Sequence, residues 1–170
     1  MAIKDALLPE FDHEMATTRS LLAIVPEQHR DWLPHAKSYT LGRLASHIAN
    51  LPAWLTATMD ATELDLQSAA AWTPPDYSTT QGNVAYFDAM VAKARDSLGR
   101  ASDPDFMVGW TLKTGGVAHF TMPRIAVVRS FVLNHIIHHR GQLSVYLRLR
   151  DVPLPNIYGP TADTPMEARG

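Results

Sequence analysis

The chain has 170 residues, 46% hydrophobic and 19% charged, with a net charge of -2 when its histidines are neutral. That is the profile of one folded domain spanning residues 1–170, not of a disordered chain, and it offers no electrostatic reason to expect nucleic acid as a partner. The absence of cysteine excludes disulfides and Cys-based zinc sites and leaves histidine as the natural ligand for a borderline metal.

No apolar stretch long enough for a signal peptide or a membrane span follows the N-terminus, so a cytoplasmic location is expected. Four segments carry helical periodicity. In the first, Ile3, Leu7, Phe11, Met15, Thr18 and Leu22 recur at three- and four-residue steps, and Pro26 ends the pattern. Pro9 is tolerated best near a helix start, which places that start nearer Leu8 than Ile3. Thr40 is a natural N-cap for the second helix, whose inner stripe is Leu41, Leu44, Ile48, Leu51 and Leu55. Pro52 lies inside it and predicts a kink one turn beyond His47. Residues Met59 to Ser78 have weak periodicity and two prolines, Pro74 and Pro75, and read as a loop with at most a helical turn from Glu63.

A third helix is predicted over Thr79 to Leu98, with Val84, Phe87, Val91, Ala94 and Leu98 inward. Trp110 to Leu112 and Val117 to Phe120 flank a Lys113-Thr114-Gly115-Gly116 turn, the pattern of a short hairpin that must lean on the helices. The fourth helix starts near Pro123 and runs to about Arg150, before Pro153 and Pro155. The proline-rich tail, 152–170, is expected to pack across the surface. The expected fold is therefore all-α, a four-helix bundle with a short β-hairpin inserted before the fourth helix.

The histidines carry the chemistry. At ~100° per residue, His135 and His139 lie about 40° apart, one turn above the other, within the stripe of Val128, Val132, Leu143 and Tyr146. Spacing alone also allows His135 with His138. Two imidazoles on an apolar face need partners for their nitrogens; a divalent metal supplies one for both, and ordinary hydrogen bonds to backbone or carboxylates are the alternative. His47, between Leu44 and Leu51 on the second helix, supplies a third nitrogen from a facing helix. His13, His29, His35, His119 and His138 read as surface residues or supports. Glu14 is a candidate general base or an ordinary exposed carboxylate; Asn50, Trp54 and Trp110 are candidates for the pocket lining. Arg140 points away from the stripe, toward a carboxylate or a second subunit. Gly141 suits close helix approach, Gln142 can orient a ligand ring, and Leu133 with Ile137 gives the back of the helix an apolar surplus that suits a dimer interface.

Three stretches resemble the DinB family of bacterial four-helix proteins. These are Ser38 to Ile48, ending in His47; Asn134 to Leu143, with its HxxxHRGQ pattern; and Tyr146-Leu147-Arg148 with Val152-Pro153 and Tyr158-Gly159-Pro160. Pro9 to Glu14 resembles a subgroup. The resemblance implies a metal triad at His47, His135 and His139, a nickel or zinc ion, and a homodimer. It also implies a small-molecule activity such as transfer of a low-molecular-weight thiol in stress defence, beside which hydrolysis and a non-catalytic metal-binding role stay open.

Overall fold

The computed structural model describes residues 1–68 and 79–165. Helix α1 spans Ile3–Leu22, so it begins a full turn before the start that Pro9 suggests. Its first amides are satisfied: Ala2 N donates to Asp5 at 2.8 Å and Ile3 N to Asp103 at 2.8 Å. Pro9 then sits inside the helix, where its missing N–H leaves one carbonyl without its helical donor. Helix α2, Leu41–Asp60, is capped as expected by the Thr40 hydroxyl, which accepts from the Arg43 amide at 3.2 Å, and it continues through Pro52. Helix α3, Thr80–Arg100, is capped by Thr79 and followed by the short α4, Asp103–Met107.

The last helical run has three stretches: α5, Arg124–Val127; a π-helical segment, Val128–Leu133; and α6, Asn134–Arg148. Pro123 closes the preceding strand and is the N-cap of α5, so the helical run starts near Pro123 as expected.

The chain is mostly helical, but it is not all-α. Strands β1 (Glu63–Asp65), β2 (Gly109–Thr114) and β3 (Val117–Pro123) form a sheet in the order β1-β2-β3. β2 and β3 are antiparallel about the Gly115-Gly116 turn, and β1 runs parallel to β2. The helical turn expected from Glu63 is thus a strand. Asp65 fixes the turn by accepting from the amides of Gly115 at 2.9 Å and Gly116 at 2.8 Å. The sheet has its own small core, in which Trp110, Leu112 and Val127 are buried and Trp54, Phe120 and Phe131 pack against them.

The long helices pack α1 on α3, α3 on α2, α2 on α6 and α6 on α1. Asn50 with Tyr86 and Asp60 with Ser97 show that α2 and α3 run in the same direction. Arg19 with Asp88 and Asp12 with Arg95 show α1 antiparallel to α3. Parallel neighbours adjacent in sequence need a connection that returns the length of a helix, ~30 Å for twenty residues. Residues 61–79 span that gap; within them 69–78, including Pro74 and Pro75, lie outside the described residues. The described part of the tail, residues 152–165, is tied to α1 and α6. Asp163 pairs with Arg148 and accepts from Leu154 N at 2.9 Å, and the Tyr158 hydroxyl reaches Glu14. Residues 166–170 lie outside the described residues. Among those described, no helix is long and apolar enough to cross a membrane.

Candidate metal centre

α2 and α6 bring His47, His135 and His139 together. One nitrogen from each ring lies within 4.8 Å of the other two. His135 Nε2 stands 3.4 Å from His47 Nε2 and 2.9 Å from His139 Nε2. Nitrogens held about 2.0–2.1 Å from one divalent ion are separated by ~2.9 Å at right angles and ~3.4 Å at the tetrahedral angle. The two distances match those limits.

The outward nitrogens matter as much. His139 Nδ1 faces Gln142 Oε1 at 2.7 Å, and His135 Nδ1 faces the Phe131 carbonyl at 3.4 Å. With each Nδ1 donating to the acceptor it faces, both Nε2 atoms present lone pairs to one another across 2.9 Å. Two lone pairs repel at that distance unless a cation lies between them. Burial, together with the neighbouring histidines and Arg43, pushes His47 down to about 4, and burial lowers His135 and His139 as well. Neutral imidazole is the form that binds metal. The donor set and its tautomers fit a divalent ion.

The rings sit at the edge of the α2–α6 contact, not in the middle of an apolar stripe. The buried face of α6 is Ile136, Arg140, Leu143 and Leu147, and the three histidines are half-buried beside it. A helical wheel extended from Val128 at α-helical spacing misses this, because the π segment shifts the phase before Asn134. The outcome is a site with one side open. A depression of about 330 Å³ lined by Ser130, Phe131, Asn134, His135 and His138 adjoins it, and the Phe131 ring stacks on Phe120 of β3 at 4.8 Å.

Other expectations fare unevenly. Gln142 orients His139 as expected. His138 is exposed, its ring 4.9 Å from that of His139, and does not join the cluster. Glu14 is neither exposed nor near the histidines' nitrogens: it is 6% accessible and paired with Arg140. Arg140 does find a carboxylate, but from the buried face of α6 and not from its back. Trp110 is fully buried, donating to the Ala57 carbonyl at 3.2 Å, and belongs to the sheet core. Asn50 is buried and accepts from Tyr86; Trp54 packs toward Trp110. Leu133 is buried and Ile137 packs on the same core, so neither is surplus. A Cβ at Gly141 would meet nothing within 4 Å; the close approach is at Gly42, against Arg30. The wheel also passed over Tyr39, whose ring lies edge-on to His47 with centroids 6.0 Å apart. Its place one residue before the N-cap and two turns before His47 was the available signal.

The sequence model of the DinB family matches residues 2–169. The chain is a DinB-family protein. The uncharacterized protein YrdA of Bacillus subtilis (strain 168) is 27% identical to it over 168 residues, covering 94% of this chain and 90% of YrdA. Among solved structures, a DinB-like protein from Bacillus cereus ATCC 10987 superposes with a TM-score of 0.71 at 21% identity, covering 92% of this chain and 98% of its own. A DinB-like protein from Bacillus subtilis gives 0.67 at 16% identity, covering 89% and 96%. At those identities the structural likeness speaks for the DinB fold alone. The triad geometry belongs to this chain.

Proposed function

We propose that His47, His135 and His139 hold one divalent metal ion, nickel or zinc, and that this DinB protein is a metal-dependent enzyme acting on a small molecule. The reaction is transfer of a low-molecular-weight thiol to an electrophile, with hydrolysis as the neighbouring possibility on the same chemistry. The observation that carries this is the 2.9 Å approach of His135 Nε2 to His139 Nε2 while each Nδ1 faces an acceptor on the outer side. Three protein nitrogens leave a coordination position open, as in catalytic sites. A divalent ion so placed lowers the pKa of a bound water or thiol and polarises a carbonyl.

The chain's own residues do the rest. Gln142 and the Phe131 carbonyl fix ring rotation and tautomer, half-burial keeps the imidazoles neutral, and the adjoining depression admits a small molecule. The proposal includes a four-helix bundle, a cytoplasmic homodimer and a role in stress defence; exposed Val145 on α6 and Leu149 at its C-cap support the dimer. A non-catalytic metal-binding protein is the second reading, favoured by one feature: among the described residues no carboxylate joins the cluster to act as general base.

Elemental analysis of protein purified without a histidine tag tests the site. Stoichiometric metal is expected in the wild type and its loss in His47→Ala and His139→Ala. No metal after reconstitution sinks the proposal. Metal-loaded protein is then offered a panel of thiols with an electrophile; turnover abolished by His135→Ala supports the enzyme, and tight metal without turnover supports the binding protein.

A further inference from the structure

The rim of the metal centre holds a cation that has no counter-ion among the described residues. Six arginines reach a carboxylate: Arg19, Arg95, Arg100, Arg129, Arg140 and Arg148. Arg43 does not, among the described residues, and unlike Arg30, Arg124 and Arg150, which also lack a carboxylate there, it stands in solvent. It is exposed, and its guanidinium carbon stands 4.3 Å above the Tyr39 ring. Tyr39 in turn lies edge-on to His47, centroids 6.0 Å apart. Arg43 and His47 are one turn apart on α2, which puts their Cβ atoms about 5–6 Å apart along the same side of the helix. The aromatic ring therefore holds a guanidinium beside the triad with its N–H fork unspent.

The triad itself brings no negative charge, since its members are three imidazoles and no carboxylate oxygen. A divalent ion there adds two positive charges beside the one on Arg43. Only an incoming molecule can balance them, and a guanidinium matches a carboxylate or phosphate through two parallel hydrogen bonds.

We propose that Arg43 is a specificity-determining residue: it receives an oxyanion, carboxylate or phosphate, on a small molecule whose other end binds at the metal centre about one helical turn away. This rests on the metal-centre reading and narrows it to bifunctional anionic ligands. Neutral thiols and neutral electrophiles are poor ligands by the same argument.

Calorimetry on zinc-loaded protein tests it with two probes, 3-mercaptopropionate and its neutral counterpart 2-mercaptoethanol. Wild type is expected to bind the acid at least about tenfold more tightly than Arg43→Gln does, while 2-mercaptoethanol binds both equally. Arg43→Lys restores part of the difference, and Tyr39→Ala, which frees the guanidinium, loses part of it. Zinc content measured on the same samples separates the two layers. Zinc absent from wild type overturns the metal reading and this one with it. Zinc present in both proteins with equal affinity for the acid overturns the role of Arg43 alone. Competition by succinate and by inorganic phosphate at constant ionic strength then identifies the oxyanion by whichever displaces the probe better; displacement by neither also overturns the proposal.

Discussion

His139 and Arg140 are consecutive on α6, yet the polar groups around them are completed in opposite ways. Arg140 is 1% exposed and fully served from within the chain. Its Nη2 lies 2.6 Å from Glu14 Oε2, and its Nη1 donates to the Glu14 carbonyl at 3.1 Å and to Thr18 Oγ1 at 3.3 Å. The Tyr158 hydroxyl, brought by the tail, donates to both Glu14 oxygens at 2.9 Å. One positive charge meets one negative charge, and both Nη atoms of Arg140 have acceptors. Around His139 the outward nitrogens of His139 and His135 face Gln142 and the Phe131 carbonyl, but the inward ones meet only each other. A polar cluster that closes on itself is architecture; one that closes except at a single point, with lone pairs converging there, is waiting for something from outside.

The sharpest way to break this contrast is to open the closed cluster. Glu14→Ala leaves the Arg140 charge buried and unpaired, a change that costs about 3–5 kcal/mol. Replacing both partners together, Glu14→Leu with Arg140→Met, is expected to recover most of that loss, because the pair's desolvation disappears with its attraction. Urea unfolding reads both variants. In each, metal per folded chain should stay at the wild-type level. If Glu14→Ala loses its metal while remaining folded, the two clusters are one site and the distinction fails. His139→Ala in metal-free protein should cost much less than Glu14→Ala, since its removal strands no charge.

A second, smaller test uses pH on metal-free protein. The His47 pKa is about 4 in the folded chain, against 6.5 for an unperturbed histidine, chiefly because burial opposes its charge. The unfolded state therefore binds more protons between those values, and stability must fall as pH falls from about 6.5 toward 4. Its contribution is complete above that window and spent below it. His47→Gln should flatten this part of the stability profile. An unchanged slope in His47→Gln would mean that His47 is not held neutral by its site.

The triad was legible because its evidence is local: His135 and His139 are one turn apart, and each histidine has apolar residues a turn away. The capping of α2 by Thr40 was legible for the same reason, since one hydroxyl and one nearby amide decide it. Arg140 was not, because its burial depends on the phase of α6. A π segment between Val128 and Leu133 alters that phase without any distinctive residue type. Tyr158 was recognisable as part of the characteristic ending, but its link to Glu14 joins residues 144 apart in sequence. β1 was hidden for another reason. Glu-Leu-Asp has no strand-forming pattern and pairs only because the free edge of β2 is there to receive it.

The two glycines near the triad sharpen the comparison at the smallest scale. Gly42 is closed in: a Cβ there would stand 3.1 Å from Arg30 Cβ and 3.2 Å from its carbonyl oxygen, which already accepts from the Gly42 amide at 2.8 Å. Gly42→Ala must push that backbone away and should cost about 1–3 kcal/mol. Gly141 is open, with nothing within 4 Å of the position a methyl group would take and an ordinary helical backbone around it. There alanine removes only the entropy penalty of glycine, so Gly141→Ala should stabilise the monomeric fold by about 0.5–1 kcal/mol, seen as a raised thermal midpoint. The sign carries the information. A lowered midpoint that depends on protein concentration would place a second subunit against Gly141, Val145 and Leu149, converting an open surface into a close approach between chains.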